Sequence, residues 1–254
     1  MKNALLTSCR QAVISRQFFF AAAGFAAVML AASADAVLLA LRTADVLPGG
    51  FHGTLMLQAI RADQTAFFVP ILCALPFSGA FLQDTKTRFL RFFVHRTSRR
   101  AYLAGRALAV WLSGGLAAAA GVILAYAAVA GALVPMEGAR FPGMEEPALL
   151  REFLPCCLNF FLSGGLWALV GMALSAWMDS RYVAYASPFT VFYLLTILYE
   201  RFLPMLYFAA PREWLNPSGI WRLGAHGARL TVLFLTAAMG LCFFITASRR
   251  LEQI

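Results

Sequence analysis

The chain reads as an all-α, polytopic integral membrane protein with six transmembrane helices. Three observations predict this. Hydrophobic residues make up 61% of its 254 residues and charged residues only 13%, against about 25% charged in soluble domains. Apolar runs of about twenty residues recur, each long enough to cross the hydrocarbon core as a helix. The 21 Lys and Arg residues gather chiefly at the ends of those runs. The net charge of +9 therefore reports topology. Single-stranded nucleic-acid grooves need bases interleaved with aromatics on a soluble surface, so nucleic acid is not an expected partner. Too little polar sequence remains for a soluble domain, and residues 1–254 form a single transmembrane domain.

Residues 2–16 carry an N-terminal amphipathic helix. Leu5, Leu6, Cys9, Ala12 and Val13 form one stripe, and Lys2, Arg10 and Arg16 lie outside it. Such a helix lies along the cytoplasmic interface; an ordinary juxtamembrane tail is the alternative. The first span covers 18–41. Ala34-Asp35-Ala36 offers a signal-cleavage site, but the apolar run continues past it to Leu41 behind a long polar start, which favours a retained span. Asp35 then lies in the outer half of the span. An intramembrane carboxylate is a pathway candidate; the blander reading is that water or Arg42, seven residues on, reaches it.

Residues 43–64 read as a polar loop with Pro48, Gly49 and Gly50. The second span, 65–82, is expected to kink at Pro70 and Pro76, which cannot donate a backbone hydrogen bond. A basic stretch follows, and a helix over 84–100 would place Arg88, Arg91, His95 and Arg99 in one sector. Phe89, Leu90, Phe93 and Val94 fall opposite. Between Asp84 and Arg106 sit seven of the 21 basic residues. The third span, 102–134, starts with Arg106 close enough to its end to snorkel to the cytoplasmic interface.

The acidic segment 135–152 leads to the fourth span, 153–178. The short turn Asp179-Ser180-Arg181 leads to the fifth, 182–203, interrupted by Pro188. Residues 204–228 are too apolar and aromatic for a free loop and are punctuated by Pro204, Pro211, Pro217, Gly219, Gly224 and Gly227, with Trp214 and Trp221 among them. A re-entrant or interface-lying hairpin accounts for them, with the tryptophans at interfacial depth. The sixth span, 230–247, ends at Arg249-Arg250. Six spans put both termini on one side. That side holds twelve Lys/Arg, the other eight, matched there by eight carboxylates. The positive-inside rule makes the termini and the basic stretch cytoplasmic, in a cell membrane.

Leu112-Ser113-Gly114-Gly115-Leu116 recurs as Leu162-Ser163-Gly164-Gly165-Leu166. Each copy sits roughly 15 Å into its span at about 1.5 Å per residue. Ser113, Gly114, Gly115, Ser163, Gly164 and Gly165 suit close helix packing, with a pathway-lining role as the alternative.

Catalytic and cofactor chemistry are not expected. The two lysines, Lys2 and Lys86, follow no phosphate-binding glycine loop, and no H-E-x-x-H or G-x-S-x-G is present. Glu145-Glu146 and Arg151 do not match an intramembrane protease signature in spacing. The five cysteines, Cys9, Cys73, Cys156, Cys157 and Cys242, form no C-x-x-C and read as free buried thiols without metal.

Taken together, the six spans, N-terminal amphipathic helix, basic helix between spans two and three, and hairpin before span six resemble an ABC-2-type transporter permease. The stretch F-L-Q-D-T-K-T-R-F-L-R-F-F-V-H-R-T-S-R-R-A-Y-L-A-G-R-A-L is similar to the segment where a coupling helix precedes an Arg-x-x-Tyr start to span three, here Arg99-Arg100-Ala101-Tyr102. Asn216-Pro217 is similar to the family's proline-bearing hairpin. The resemblance implies a half-transporter that pairs with itself or a paralogous permease. It implies a separate ABC ATPase subunit docking on Arg88, Phe89, Arg91, Phe92, His95, Arg96, Arg99 and Arg100. Export of a lipid, peptide or drug-like cargo would follow. The competing class is a non-transporting scaffold, immunity or assembly protein whose basic helix binds anionic membrane lipids.

Overall fold

The computed structural model describes residues 2–43, 47–86, 99–138, 146–203 and 205–252, without the side chains of 2–6, 146–150 and 252. Among them the secondary structure is helical, apart from an isolated bridge between Leu47 and Glu137. Five helical stretches are long and apolar enough to cross a membrane. The chain is therefore a helical multi-pass membrane protein.

The first helix, α1 (Lys2–Val13), is amphipathic and packs against the third-span helix. Ala12 is fully buried while Arg10 is exposed. Ser15 accepts a bond from the Phe18 amide at 3.2 Å and starts α2 (Arg16–Thr43), the first span.

Two parts of the next region differ from expectation. The polar loop expected over 43–64 contains a buried helix, α3 (Phe51–Arg61), with Leu55, Met56 and Ile60 in the core. Its apolar run is too short to register as a span, yet helical spacing gathers these side chains on one side. The expected second span is broken. It consists of α4 (Asp63–Ala74), with Pro70 inside it, and α5 (Ala80–Lys86), joined through turns at 75–79 that contain Pro76.

The centre of the bundle is a pair of long helices, α6 (Arg99–Leu133) and α7 (Glu146–Met178). In α7, 61% of the most apolar stretch is buried, against 17–39% in the other four spans. That makes α7 the hub, with α6, α4, α8 (Arg181–Ile197) and the last span packed around it. A π turn, Leu198–Phe202, extends α8. The turn between α7 and α8 puts Asp179 at φ 55. Its carboxylate meets Arg250 at 3.0 Å, and Arg250 also donates to the Trp177 carbonyl at 3.2 Å. The last span is therefore pinned to the α7–α8 turn.

Beyond α8, a 3-10 turn (Tyr207–Ala209) and the short α9 (Pro211–Leu215) precede α10 (Ala225–Glu252). The two tryptophans of this segment are buried within the protein: Trp214 is 3% exposed and Trp221 8%. Their ring nitrogens find acceptors inside the protein. Trp214 donates to the Phe208 carbonyl at 2.9 Å, and Trp221 to Glu213 at 3.1 Å. Glu213 also takes the Ser218 amide and hydroxyl at 2.9 and 2.8 Å. One carboxylate thus satisfies three donors of the segment between α8 and α10. The last helix starts at Ala225, five residues before the expected sixth span.

Candidate functional site

Arg88, Phe89, Arg91, Phe92, His95 and Arg96 lie outside the described residues. Arg99 and Arg100 open α6, both exposed. What the structure describes is the foundation of this stretch. Asp84, near the end of α5, accepts the Tyr102 hydroxyl at 2.5 Å and pairs with the Arg106 guanidinium. Tyr102 and Arg106 are one helical turn apart on α6, so both reach the same carboxylate. The guanidinium also lies 5.0 Å from the centre of the Phe77 ring and 5.7 Å from that of Tyr102. Side-chain exposure is 8% for Arg106 and 15% for Asp84.

This corrects the expectation that Arg106 snorkels to the interface. The long arm is folded inward and neutralised, because a carboxylate from α5 reaches it and two aromatic faces receive it. The result is a clasp holding together the two ends of the basic stretch. Sequence reasoning missed the clasp; the signal was Asp84 itself, a lone carboxylate at the head of a run of bases. Arg106 Nη1 is buried with no hydrogen-bond partner among the described residues.

The two Leu-Ser-Gly-Gly-Leu copies meet each other at the centre of the α6–α7 pair. A methyl group added at Gly114 would come within 2.5 Å of Ala168 Cβ and 2.8 Å of the Gly164 carbonyl. At Gly115 it would come within 2.6 Å of the Phe161 carbonyl, and at Gly165 within 2.5 Å of the Trp111 ring. Gly164 would meet Cys73 Sγ at 2.8 Å. Only hydrogen side chains permit backbones this close. Ser113 is fully buried and bonds the Val110 carbonyl at 3.0 Å. Ser163 is fully buried, its hydroxyl without a partner among the described residues. Gly121 and Gly171 extend the same economy, Gly121 against Phe25 and Gly171 against the Ala184 carbonyl.

Asp35 is exposed on α2 and makes no ion pair among the described residues, with Arg42 or any other group. On its face of α2, Ala23, Ala27 and Ala31 are exposed at four-residue spacing. The cysteines are free, but only Cys73 is buried; Cys9, Cys156 and Cys157 are half-buried and Cys242 is exposed, which corrects the expectation for four of them. Helical position rather than residue type decides this, since Cys242 sits on the outward side of α10.

At the far end of α6 a second cluster was also illegible from the sequence. Glu137 accepts the Gly50 amide at 2.9 Å, the His52 amide at 2.9 Å and the His52 ring Nδ1 at 2.7 Å. His52 Nε2 faces the Tyr126 hydroxyl at 3.1 Å. A carboxylate from beyond α6 thus caps the first turn of α3, where unpaired amides favour an anion. Burial acts to raise the Glu137 carboxyl pKa. Hydrogen bonds from the His52 and Gly50 amides and the adjacent ring outweigh it and hold the group below its ordinary value of 4.5.

The site is thus part of a helical membrane bundle in which polar groups secure both ends of a central helix. No family model matches the chain, and none of the curated proteins matches it.

Proposed function

We propose that the chain is the permease subunit of an ABC-2-type transporter, driven by a separate ATPase subunit and exporting an amphipathic cargo. The observation that carries this reading is the Asp84–Tyr102–Arg106 clasp. A force applied to the basic stretch between its two ends passes through the clasp into α6, and from α6 through the glycine seam into α7. A stretch that merely lay on lipid would need no such connection to the hub of the bundle. The face of α2 bearing Ala23, Ala27, Ala31 and Asp35 supports pairing with a second permease copy, since small residues allow close approach and a carboxylate there gains a polar neighbour. ATP acts in this scheme by favouring one permease conformation over another.

The test is co-purification of the full chain with ATPases of the same cell, followed by ATP turnover in proteoliposomes. The expected result is a stable complex that Arg91→Glu, Arg96→Glu and Arg99→Glu disrupt. A chain that binds no ATPase, and whose arginine variants change only affinity for anionic lipid, is a scaffold instead. For orientation, a cysteine placed at Phe92 is expected to resist impermeant thiol reagents added outside intact cells; labelling there overturns the topology.

A further inference from the structure

Away from the clasp, the other end of the bundle holds a cleft of about 520 Å³ between α3, α7, α9 and α10. Three guanidinium groups line it, Arg61, Arg151 and Arg229, against the single carboxylate of Glu152. Glu152 does little to neutralise them. It meets Arg61 at 3.7 Å, with more than half of each side chain exposed, where water screens the pair.

Arg229 is held in place. Its Nε donates to Asn159 Oδ1 at 2.9 Å, and Asn159, 4% exposed, donates in turn to the Leu215 carbonyl at 3.0 Å. That arrangement occupies one edge of the guanidinium and leaves its two Nη groups with no acceptor among the described residues. Arg151 has no hydrogen bond or ion pair at all among them. Ala225, the first residue of the 28-residue helix α10, also lines the cleft, adding the positive end of a helix dipole. Planar forks around a concave, under-neutralised pocket match the oxygens of a phosphate group. The cleft lies at the starts of two helical stretches, beginning at Arg151 and Ala225, that are long and apolar enough to cross a membrane.

We infer that this cleft binds a phosphate group, presented either by an anionic phospholipid or by a free phosphate-bearing solute. The site stands whether or not the chain transports anything, because none of its residues belongs to the clasp or the seam.

Cys156 lines the same cleft and provides the readout. In the full chain with Cys9, Cys73, Cys157 and Cys242 replaced by serine, modification of Cys156 is timed in phosphatidylcholine nanodiscs. Anionic and cationic methanethiosulfonate reagents are compared. Their rate ratio cancels the thiol's own ionisation. The ratio is expected to favour the anionic reagent by about tenfold, as a focused positive field does. Arg151→Gln and Arg229→Gln each lower it several-fold; Arg229→Lys lowers it less, and Arg201→Gln, elsewhere on the bundle, leaves it unchanged. Protection of Cys156 when phosphatidylglycerol replaces phosphatidylcholine identifies a lipid headgroup. Protection by millimolar inorganic phosphate in phosphatidylcholine identifies a free ligand. A ratio near one, an equal effect of Arg201→Gln, or protection by neither source overturns the inference.

Discussion

The two ends of α6 are secured on opposite plans. At its start, Arg106 and Asp84 are two side chains that answer each other, with Tyr102 bonded to the same carboxylate. At its far end, Glu137 answers two backbone amides as well as the His52 ring. The first cluster can be dismantled in pairs, since both partners are replaceable. The second cannot, because the amides of Gly50 and His52 remain whatever their side chains. The first also leaves Arg106 Nη1 without a hydrogen-bond partner among the described residues, whereas both oxygens of Glu137 are occupied.

The largest effect is expected at the clasp. Asp84→Leu strands a buried guanidinium and should destabilise the protein by about 3–5 kcal/mol, read as a lowered midpoint in a detergent melt. Adding Arg106→Met should recover most of that loss, because a buried pair replaced by apolar groups is close to neutral. If the double variant stays as unstable as the single one, the clasp is not a mutually compensating pair.

Glycine substitution in the seam ranks next. Gly165→Ala drives a methyl into the Trp111 ring and should cost about 1–3 kcal/mol, the usual range for overpacking. Gly131→Ala, at the open end of α6, where an added methyl meets nothing within 4 Å, should not destabilise in the same melt. Equal effects would remove the seam's claim to be a tight contact.

The cap is expected to behave differently from the clasp. Glu137→Leu should cost about 1–3 kcal/mol, the penalty for buried donors left unpaired, and a second change, His52→Phe, should not recover it. Acid sharpens the contrast. A depressed carboxylate pKa adds stability above the ordinary value of 4.5, and that contribution is lost as pH falls through the lowered folded value. Wild type and Glu137→Gln should therefore differ most at neutral pH and converge in acid; a gap that widens on acidification refutes the cap. The smallest change is expected at Arg250→Gln. Its exposed partner Asp179 makes the ion pair worth less than about 1 kcal/mol.

How much of this the sequence carries follows from the range of each interaction. Apolar length is local, so the five long spans are legible directly. The Leu-Ser-Gly-Gly-Leu echo is also visible, although its two copies facing each other is a tertiary fact. Helix α3 is hidden because Leu55, Met56 and Ile60 lie among polar residues in a segment too short to span a bilayer. The clasp is hidden because Asp84 and Arg106 are 22 positions apart and meet only in the folded bundle. Glu137 and His52 are 85 positions apart, and nothing in either neighbourhood names the other. The tryptophans of 204–228 look interfacial by type; their burial depends on Glu213 and the Phe208 carbonyl supplying acceptors on site.

The glycine seam also bears on how the protein is made. The ribosome completes α6 before α7 exists, so Gly114 and Gly115 first present bare backbone to lipid or to the insertion machinery. Gly164 and Ala168 cover Gly114, and Phe161 covers Gly115, only when the next span arrives. Pairing of the two hub helices is then an exchange, in which acyl chains leave a shallow groove and a helix takes their place. The later helices α8 and α10, which pack against α7, are made with that partner already in the chain.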